Sequence, residues 1–354
     1  MPIQTLAQKS LPFTAFQTVW VPGTNRICAV GANDAGFGVI QVYQARSRAI
    51  SVTKSNSSTS SGAGAGQPAS ARLELYSEVE KRIQFKAATF RASTQPSHLV
   101  TGDFEGRIGV WDLERTEVPV TMIKAHEDVV NCIDGAGAFS GRPEVVSGCR
   151  DGAVKMWDLR QKSDPVCTMV PKKGYEQDIW TVVMGNATSV DDLHIAAGYD
   201  NGDIRVFDLR AAANPVFETN VTHGICSLEF DRRVGTASQL VATDLEGSLH
   251  SFDWVNNQVQ SMESMVVQTG DDSTLWQVRH LPQSPSHFAV TDGGGHVHLY
   301  SHGNASSSVR KLESKRLAGQ GILTLEFNED LEGLFICSDL ENTLRLGLVD
   351  MKKD

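Results

Sequence analysis

A single pattern recurs seven times along this chain, clearest as SGCRDGAVKMWDLR from Ser147 and AGYDNGDIRVFDLR from Ala197. The other copies are GFGVIQVYQ from Gly36, TGDFEGRIGVWDL from Thr101, ATDLEGSLHSFDW from Ala242, VTDGGGHVHLYS from Val290 and CSDLENTLRLGLVD from Cys337. Each reads as a small-residue strand, a tight polar turn and an alternating strand that ends in an aromatic, except that the seventh is degenerate, with Leu346 and Gly347 there. An internal period of this kind outranks local signals, because each repeat is one supersecondary unit that buries its faces only against its neighbours. From Trp111 to Trp157, Phe207, Phe252 and Tyr300 the steps are 46, 50, 45 and 48 residues. A four-stranded propeller blade takes roughly 40–45 residues. The spacing therefore predicts an all-β, seven-bladed propeller spanning residues 1–354 as one domain.

Each blade needs an inner strand before its turn pattern. IWTVVM at Ile179, ICSLEF at Ile225, LWQVRH at Leu275, ILTLEF at Ile322 and VVNCID at Val129 supply it, with weaker copies at Phe85 and from Ala15 to Val21. Their alternation of apolar and polar residues suits strands packed on one face against the next blade. Six turns carry glycine, the chemistry of a tight hairpin; the seventh has Glu341-Asn342 instead. The last repeat lacks an outer strand, and the strand-like segment at residues 2–8 has no blade of its own. The opening strand is therefore expected to complete the last blade beside residues 343–349, which closes the ring and removes its free edges.

The step from Tyr43 to Trp111 is 68 residues, longer than the others. SVTKSNSSTSSGAGAGQPAS, Ser51 to Ser70, accounts for it. Such a Ser/Gly/Ala-rich stretch has too little apolar bulk to pack a core and is expected to be a disordered surface insertion in blade one. Its GAGAG run lacks the Lys-Ser/Thr and the strand-to-helix switch of a phosphate loop.

Net charge is −10, whereas phosphate backbones call for a basic footprint; nucleic acid is not the expected partner. No apolar run approaches the roughly 18 residues of a membrane span, and MPIQTLAQKSLPF lacks a signal segment. Six cysteines are scattered without a CxxC pair. They read as small core residues in a reducing compartment, so a cytoplasmic location is expected, with no disulfide, metal or other cofactor.

Blade three combines His126, Ser147, Asp151 and Trp157. Catalysis by Ser, His and Asp would need an oxyanion element, and none accompanies them. A buried imidazole and carboxylate instead satisfy each other and tie the strands of the blade. His296, His298 and His302 form a second cluster. Two histidines spaced by two share a strand face and can seed a zinc site. No carboxylate or thiol completes the set at a convincing spacing, so these histidines are expected to face solvent or a partner.

Binding residues are expected on the face that carries the turns between second and third strands. Repeat alignment puts Phe16, Lys86, Val130, Trp180, Cys226, Trp276 and Leu323 at the start of the inner strands. Trp180, Trp276 and Phe16 would make an aromatic rim, the residue class that concentrates binding energy; the alternative is that these rings pack against neighbouring loops. Asp103, Asp244, Asp292 and Asp339 occupy equivalent turn positions. Facing outward they would favour a basic peptide; facing inward each would tie down its own turn.

These turn patterns, with the blocks IWTVVMGNA, GICSLEFDRR and STLWQVRHLPQ, resemble the WD-repeat family, and more narrowly its factors for cytoplasmic preassembly of axonemal dyneins. The similarity runs from Ile3 to Val349, interrupted by the Ser/Gly insertion. It departs at a short tail in blade six (Gly303 to Lys315) and at the weak last turn. In WD-repeat proteins a His-Ser-Asp-Trp set links the strands of a blade. The resemblance implies a non-catalytic, monomeric adaptor. Its implied partners are a co-chaperone complex containing AAA-type ATPases and a TPR protein, working with the ninety-kilodalton heat-shock chaperone, with dynein heavy chains as clients. A competing reading rests on W-D-x-R, present as Trp157-Asp158-Leu159-Arg160 and echoed by Phe207 to Arg210. Many propellers with that motif are substrate receptors of cullin–RING ubiquitin ligases; in others Asp and Arg finish the strand and pair across blades.

Overall fold

The computed structural model describes residues 1–46, 71–136, 141–142, 144–161, 164–170, 177–185, 193–211, 214–231, 236–255, 258–267, 274–303 and 308–351. The stretch Ser51 to Ser70, expected to be disordered, lies outside them. Among the described residues there are seven four-stranded antiparallel sheets, and no α-helix.

The inner strands are Thr14–Trp20, Phe85–Thr89, Val130–Gly135, Ile179–Gly185, Ile225–Phe230, Leu275–Leu281 and Ile322–Phe327, for blades one to seven in turn. In blades one to six the second, third and outer strands follow in chain order. Blade seven departs from this. Its second and third strands are Leu334–Asp339 and Thr343–Val349, and its outer strand is Ile3–Ser10 from the start of the chain. The register runs from Ile3 opposite Val349 to Ser10 opposite Thr343, as the unpaired opening segment predicts. In blade six, where a short tail was expected, the outer strand Val309–Arg316 is complete, with eight residues.

Apolar clusters fill the gaps between blades. Ile27, Tyr43 and Leu73 of blade one pack with Ile336, Leu344 and Leu346 of blade seven, so the seam between first and last blades is as apolar as the others. The aromatics that end the third strands are core residues: Trp111, Phe252 and Tyr300 are almost wholly buried. Burying each contributes about 1.5–3 kcal/mol. None of the six cysteines is paired, and Cys28, Cys149 and Cys337 are buried. Burial pushes the Cys149 thiol up to about 12 and Cys28 higher still, so these thiols are unreactive.

The hairpin between second and third strands needs a left-handed residue. Gly106, Gly152, Gly202, Gly247 and Gly295 supply it with φ between 76° and 87°. In blade seven Asn342 takes that place at φ 56°. Asparagine tolerates the left-handed region better than other residues with a side chain, so the turn forms there without glycine.

Candidate functional site

Every inner strand carries the same irregularity near its beginning. Register skips one residue between Ala15 and Gln17, Phe85 and Ala87, Val130 and Cys132, Ile179 and Thr181, Ile225 and Ser227, Leu275 and Gln277, and Ile322 and Thr324. A bulge leaves its extra residue outside the ladder and re-aims its side chain. The extra residues are Phe16, Lys86, Asn131, Trp180, Cys226, Trp276 and Leu323. All seven are half-buried and line one cavity of about 330 Å³ on the axis of the ring. Six are the residues chosen from the repeat. In blade three the position belongs to Asn131, because Val130 is fully buried and pairs with Cys149.

The ring is chemically lopsided. Lys86 holds its ammonium 4.6 Å from the centre of the Phe16 ring, and Phe16 lies 5.9 Å from Phe104. Burial pulls Lys86 below the ordinary lysine range, against a smaller opposing effect of Cys132. Asn131 donates to the Ile179 carbonyl of the next blade at 3.0 Å. The indole N–H of Trp276 is buried without a hydrogen-bond partner. One end of the ring is thus a cation on an aromatic, and another a half-buried indole.

Deeper in the channel, side chains stitch several inner strands together. Asp134 accepts from the Met184 amide at 2.9 Å, Gln277 from the Leu325 amide at 2.7 Å, and Glu229 from the His280 amide. Glu326 pairs with Arg279 and with Arg91. These charges are occupied by the fold itself.

The four turn aspartates do not form an outward acidic ring. Asp103, Asp244, Asp292 and Asp339 are buried to within 2% exposure. One oxygen of each accepts amides of its own turn: Glu105 and Arg107, Glu246 and Ser248, His296, and Glu341 and Thr343. The second oxygen takes a basic group four or six residues on: Arg107 at 2.7 Å, His250 at 3.1 Å, His298 at 2.9 Å and Arg345 at 2.7 Å. A buried carboxylate needs such partners, and the turn needs the carboxylate. In blade one the residue is neutral Asn33, which accepts from the Ala35 and Phe37 amides, and Val39 stands six residues on.

In blade three, Trp157 donates its indole N–H to Ser147 at 3.1 Å, Ser147 lies 2.8 Å from Nε2 of His126, and Nδ1 of His126 lies 3.0 Å from Asp151. Burial pulls His126 below its ordinary value, outweighing Asp151. Burial would raise Asp151, yet the bonds from His126 and the Ala153 amide hold it well below the carboxylate range. Ser147 is fully buried, so no substrate reaches its hydroxyl; the set fastens strands together, as the resemblance implies.

The W-D-x-R segment is differently built from either reading of it. Trp157 is buried and offers no docking surface. Arg160 grips Asp158 of its own turn, with Nε 2.9 Å from one oxygen and Nη2 2.6 Å from the other, and Arg210 does the same with Asp208. The pairs are local, not between blades, because a bond two residues apart needs no neighbouring blade.

The histidines also differ from expectation. His298 is buried and His296 half-buried, and both face Asp292, a carboxylate four and six residues away. The hairpin, not proximity in sequence, brings it there. His302 instead stacks on His280, with the two Nε2 atoms 3.0 Å apart.

Seven closed blades with a His-Ser-Asp-Trp network define a WD-repeat β-propeller. The model of the WD domain, G-beta repeat, matches residues 117–158. A chain of the crystal structure of the mitotic checkpoint complex superposes with a TM-score of 0.71, covering 98% of this chain and 92% of that one at 14% identity, a likeness of fold alone. Dynein axonemal assembly factor 10 of Bos taurus and of Homo sapiens are each 38% identical over 97% of this chain and 95% of theirs. The Chlamydomonas reinhardtii protein of that name is 32% identical over 96% and 94%. The chain belongs to the dynein axonemal assembly factor 10 family.

Proposed function

We propose that the protein is a non-catalytic scaffold for axonemal dynein assembly that holds its partner on the bulge ring at the channel mouth. The observation that carries this is the pairing of family membership across nearly the whole chain with half-buried aromatics at one register in three blades. The charged groups deeper in the channel are taken up by the fold, which leaves Trp180, Trp276, Phe16 and Lys86 as the side chains with binding capacity. Truncating one such aromatic at a hot spot typically costs about 2 kcal/mol. The partners that fit the resemblance are a co-chaperone complex with AAA-type ATPases and a TPR protein, and dynein heavy chains as clients. A cytoplasmic site of action accords with this reading, and no helix among the described residues is long and apolar enough to cross a membrane.

A ligase-receptor reading is favoured by one observation: the Arg160 side chain is 66% exposed and pre-oriented by Asp158. Affinity capture of the protein from ciliated cells separates the two. Recovery of co-chaperone subunits and dynein chains supports the scaffold. Recovery of a cullin adaptor without them, abolished by Arg160→Ala, contradicts it.

A further inference from the structure

Blade six treats its turn carboxylate unlike the other blades. In blades two and seven the second oxygen of the aspartate is met by a guanidinium, from Arg107 and Arg345. In blade five it is met by one close imidazole, His250, with Nδ1 of the exposed His223 at 3.8 Å. In blade six two imidazoles converge on one oxygen: Nδ1 of His296 at 3.1 Å and Nε2 of His298 at 2.9 Å from Oδ2 of Asp292. The three donor atoms lie within 4.8 Å of one another.

We propose that Asp292, His296 and His298 form a zinc site on the hairpin of blade six. Two imidazole nitrogens and a carboxylate oxygen are a donor set that Zn²⁺ takes, with a fourth position left for water or a further ligand. Tetrahedral bonds of about 2.0–2.2 Å set neighbouring donors about 3.3–3.6 Å apart, so each nitrogen, now 3.1 or 2.9 Å from Oδ2, has to draw back from that oxygen by about half an ångström. A bound Zn²⁺ supplies next to Asp292 the fixed positive charge that arginine supplies in blades two and seven.

The surroundings suit the ion. Nδ1 of His298 lies 2.9 Å from the Ser314 hydroxyl on the outer strand. A proton held there and donated to Ser314 leaves Nε2 with its lone pair toward the cluster, the outer-shell support that orients a metal-bound histidine. The other Asp292 oxygen is fixed by the His296 amide at 2.7 Å. His296 keeps 27% of its side chain exposed, which gives an ion a way in. The hairpin above is Gly293-Gly294-Gly295 and raises no side chain over the site.

His126, Cys149 and Asp151 make the second three-donor cluster among the described residues. It is a poorer site, since its third donor is a thiol whose sulfur is taken up by the Asp128 carbonyl and the Asp151 amide.

The site abuts the rim. A side chain at Gly321 would meet Gly293 at 3.1 Å and the indole nitrogen of Trp276 at 3.2 Å. An ion that stiffens the Asp292 hairpin therefore stiffens the wall beside Trp276.

The test is titration of the full chain, stripped with chelator, with Zn²⁺ by calorimetry, and with Co²⁺ followed by its visible absorption. One equivalent of Zn²⁺ and tetrahedral Co²⁺ bands are expected. His296→Gln should weaken binding at least as much as loss of an outer-shell partner does, about 10–100-fold, and Ser314→Ala by about tenfold. Both substitutions lie at exposed or half-exposed positions, and melting curves in chelator should match the parent, which separates lost binding from lost fold. No stoichiometric binding by the parent chain overturns the site. So does equal binding by His296→Gln, or loss of binding on His223→Gln instead, which would place the ion in blade five.

Discussion

Thr18 and Thr324 are 306 residues apart in sequence and share a buried hydrogen bond of 2.7 Å. They lie on the inner strands of the first and last blades, and the bond spans the seam of the ring. Trp20 crosses the same seam, donating to the Glu326 carbonyl at 3.2 Å. On the outside, Arg345 reaches Gln8 at 2.7 Å and Lys315 reaches the Ile3 carbonyl at 2.9 Å.

Closure by the opening strand should therefore dominate stability. Ile3 is 1% exposed, and replacing a buried isoleucine by alanine costs about 2–5 kcal/mol. Ile3→Ala should lower the denaturant midpoint by that equivalent, and removal of residues 1–9 by more. An unchanged midpoint in the truncated chain would show that the ring does not depend on this strand.

The blade-three network should behave as structure. His126→Ala removes one partner from Asp151, which keeps the Ala153 amide, and one from Ser147, which keeps Trp157 and the Lys155 carbonyl; the lost bonds are worth about 1–3 kcal/mol. Arg160→Ala takes an exposed guanidinium from Asp158 but leaves it the backbone amide of residue 160, and should lower the melting curve less. Chemical denaturation of the two variants in parallel checks the contrast, and equal effects would contradict it.

Stability should fall on mild acidification. Burial, with the neighbouring His280, pulls His302 down to about 3, and burial pulls His126 below its ordinary value. Both stay neutral in the fold but take up protons in the unfolded chain below about pH 6.5. The unfolded state then binds more protons, so this stability is complete above about pH 6.5 and drains away as pH falls toward 3. Urea midpoints should be lower at pH 5 than at pH 7.5, and His302→Gln should reduce the difference. A higher midpoint at pH 5 would reverse the sign.

The Ser/Gly-rich insertion should be dispensable for folding. Arg46 and Arg72 are register partners on adjacent antiparallel strands, so a short turn can join them. Lengthening a loop costs only about 0.6 kcal/mol per doubling. Replacing residues 47–70 with a Gly-containing turn should preserve circular dichroism and the melting curve; cooperative loss of structure would mean that the segment packs.

The ring of blades and its closure were legible because periodic burial writes itself into sequence: aromatics end the third strands of blades one to six, and a left-handed residue follows each second strand. What escaped depends on one-residue shifts and on partners brought from elsewhere. Val130 and Asn131 exchange roles because a bulge, not the alternation, decides which side chain enters the channel. The orientation of Asp103, Asp244, Asp292 and Asp339 is set by turn amides and by basic groups on the third strand. Only the hairpin geometry tells that a carboxylate at 292 and imidazoles at 296 and 298 share one point. Arg160 reaches back to Asp158 through a turn whose shape the motif itself does not declare.

Partner binding on the bulge ring is open to one direct measurement. Trp180→Ala with Trp276→Ala, in one chain shown to be folded by its melting curve, should be compared with the parent for capture of co-chaperone and dynein subunits. One hot spot is worth about 2 kcal/mol, so the double variant should lose at least about tenfold in partner recovery, with Arg160→Ala unaffected. Full recovery by the folded double variant would contradict the account and move the binding surface to the outer edges of the blades.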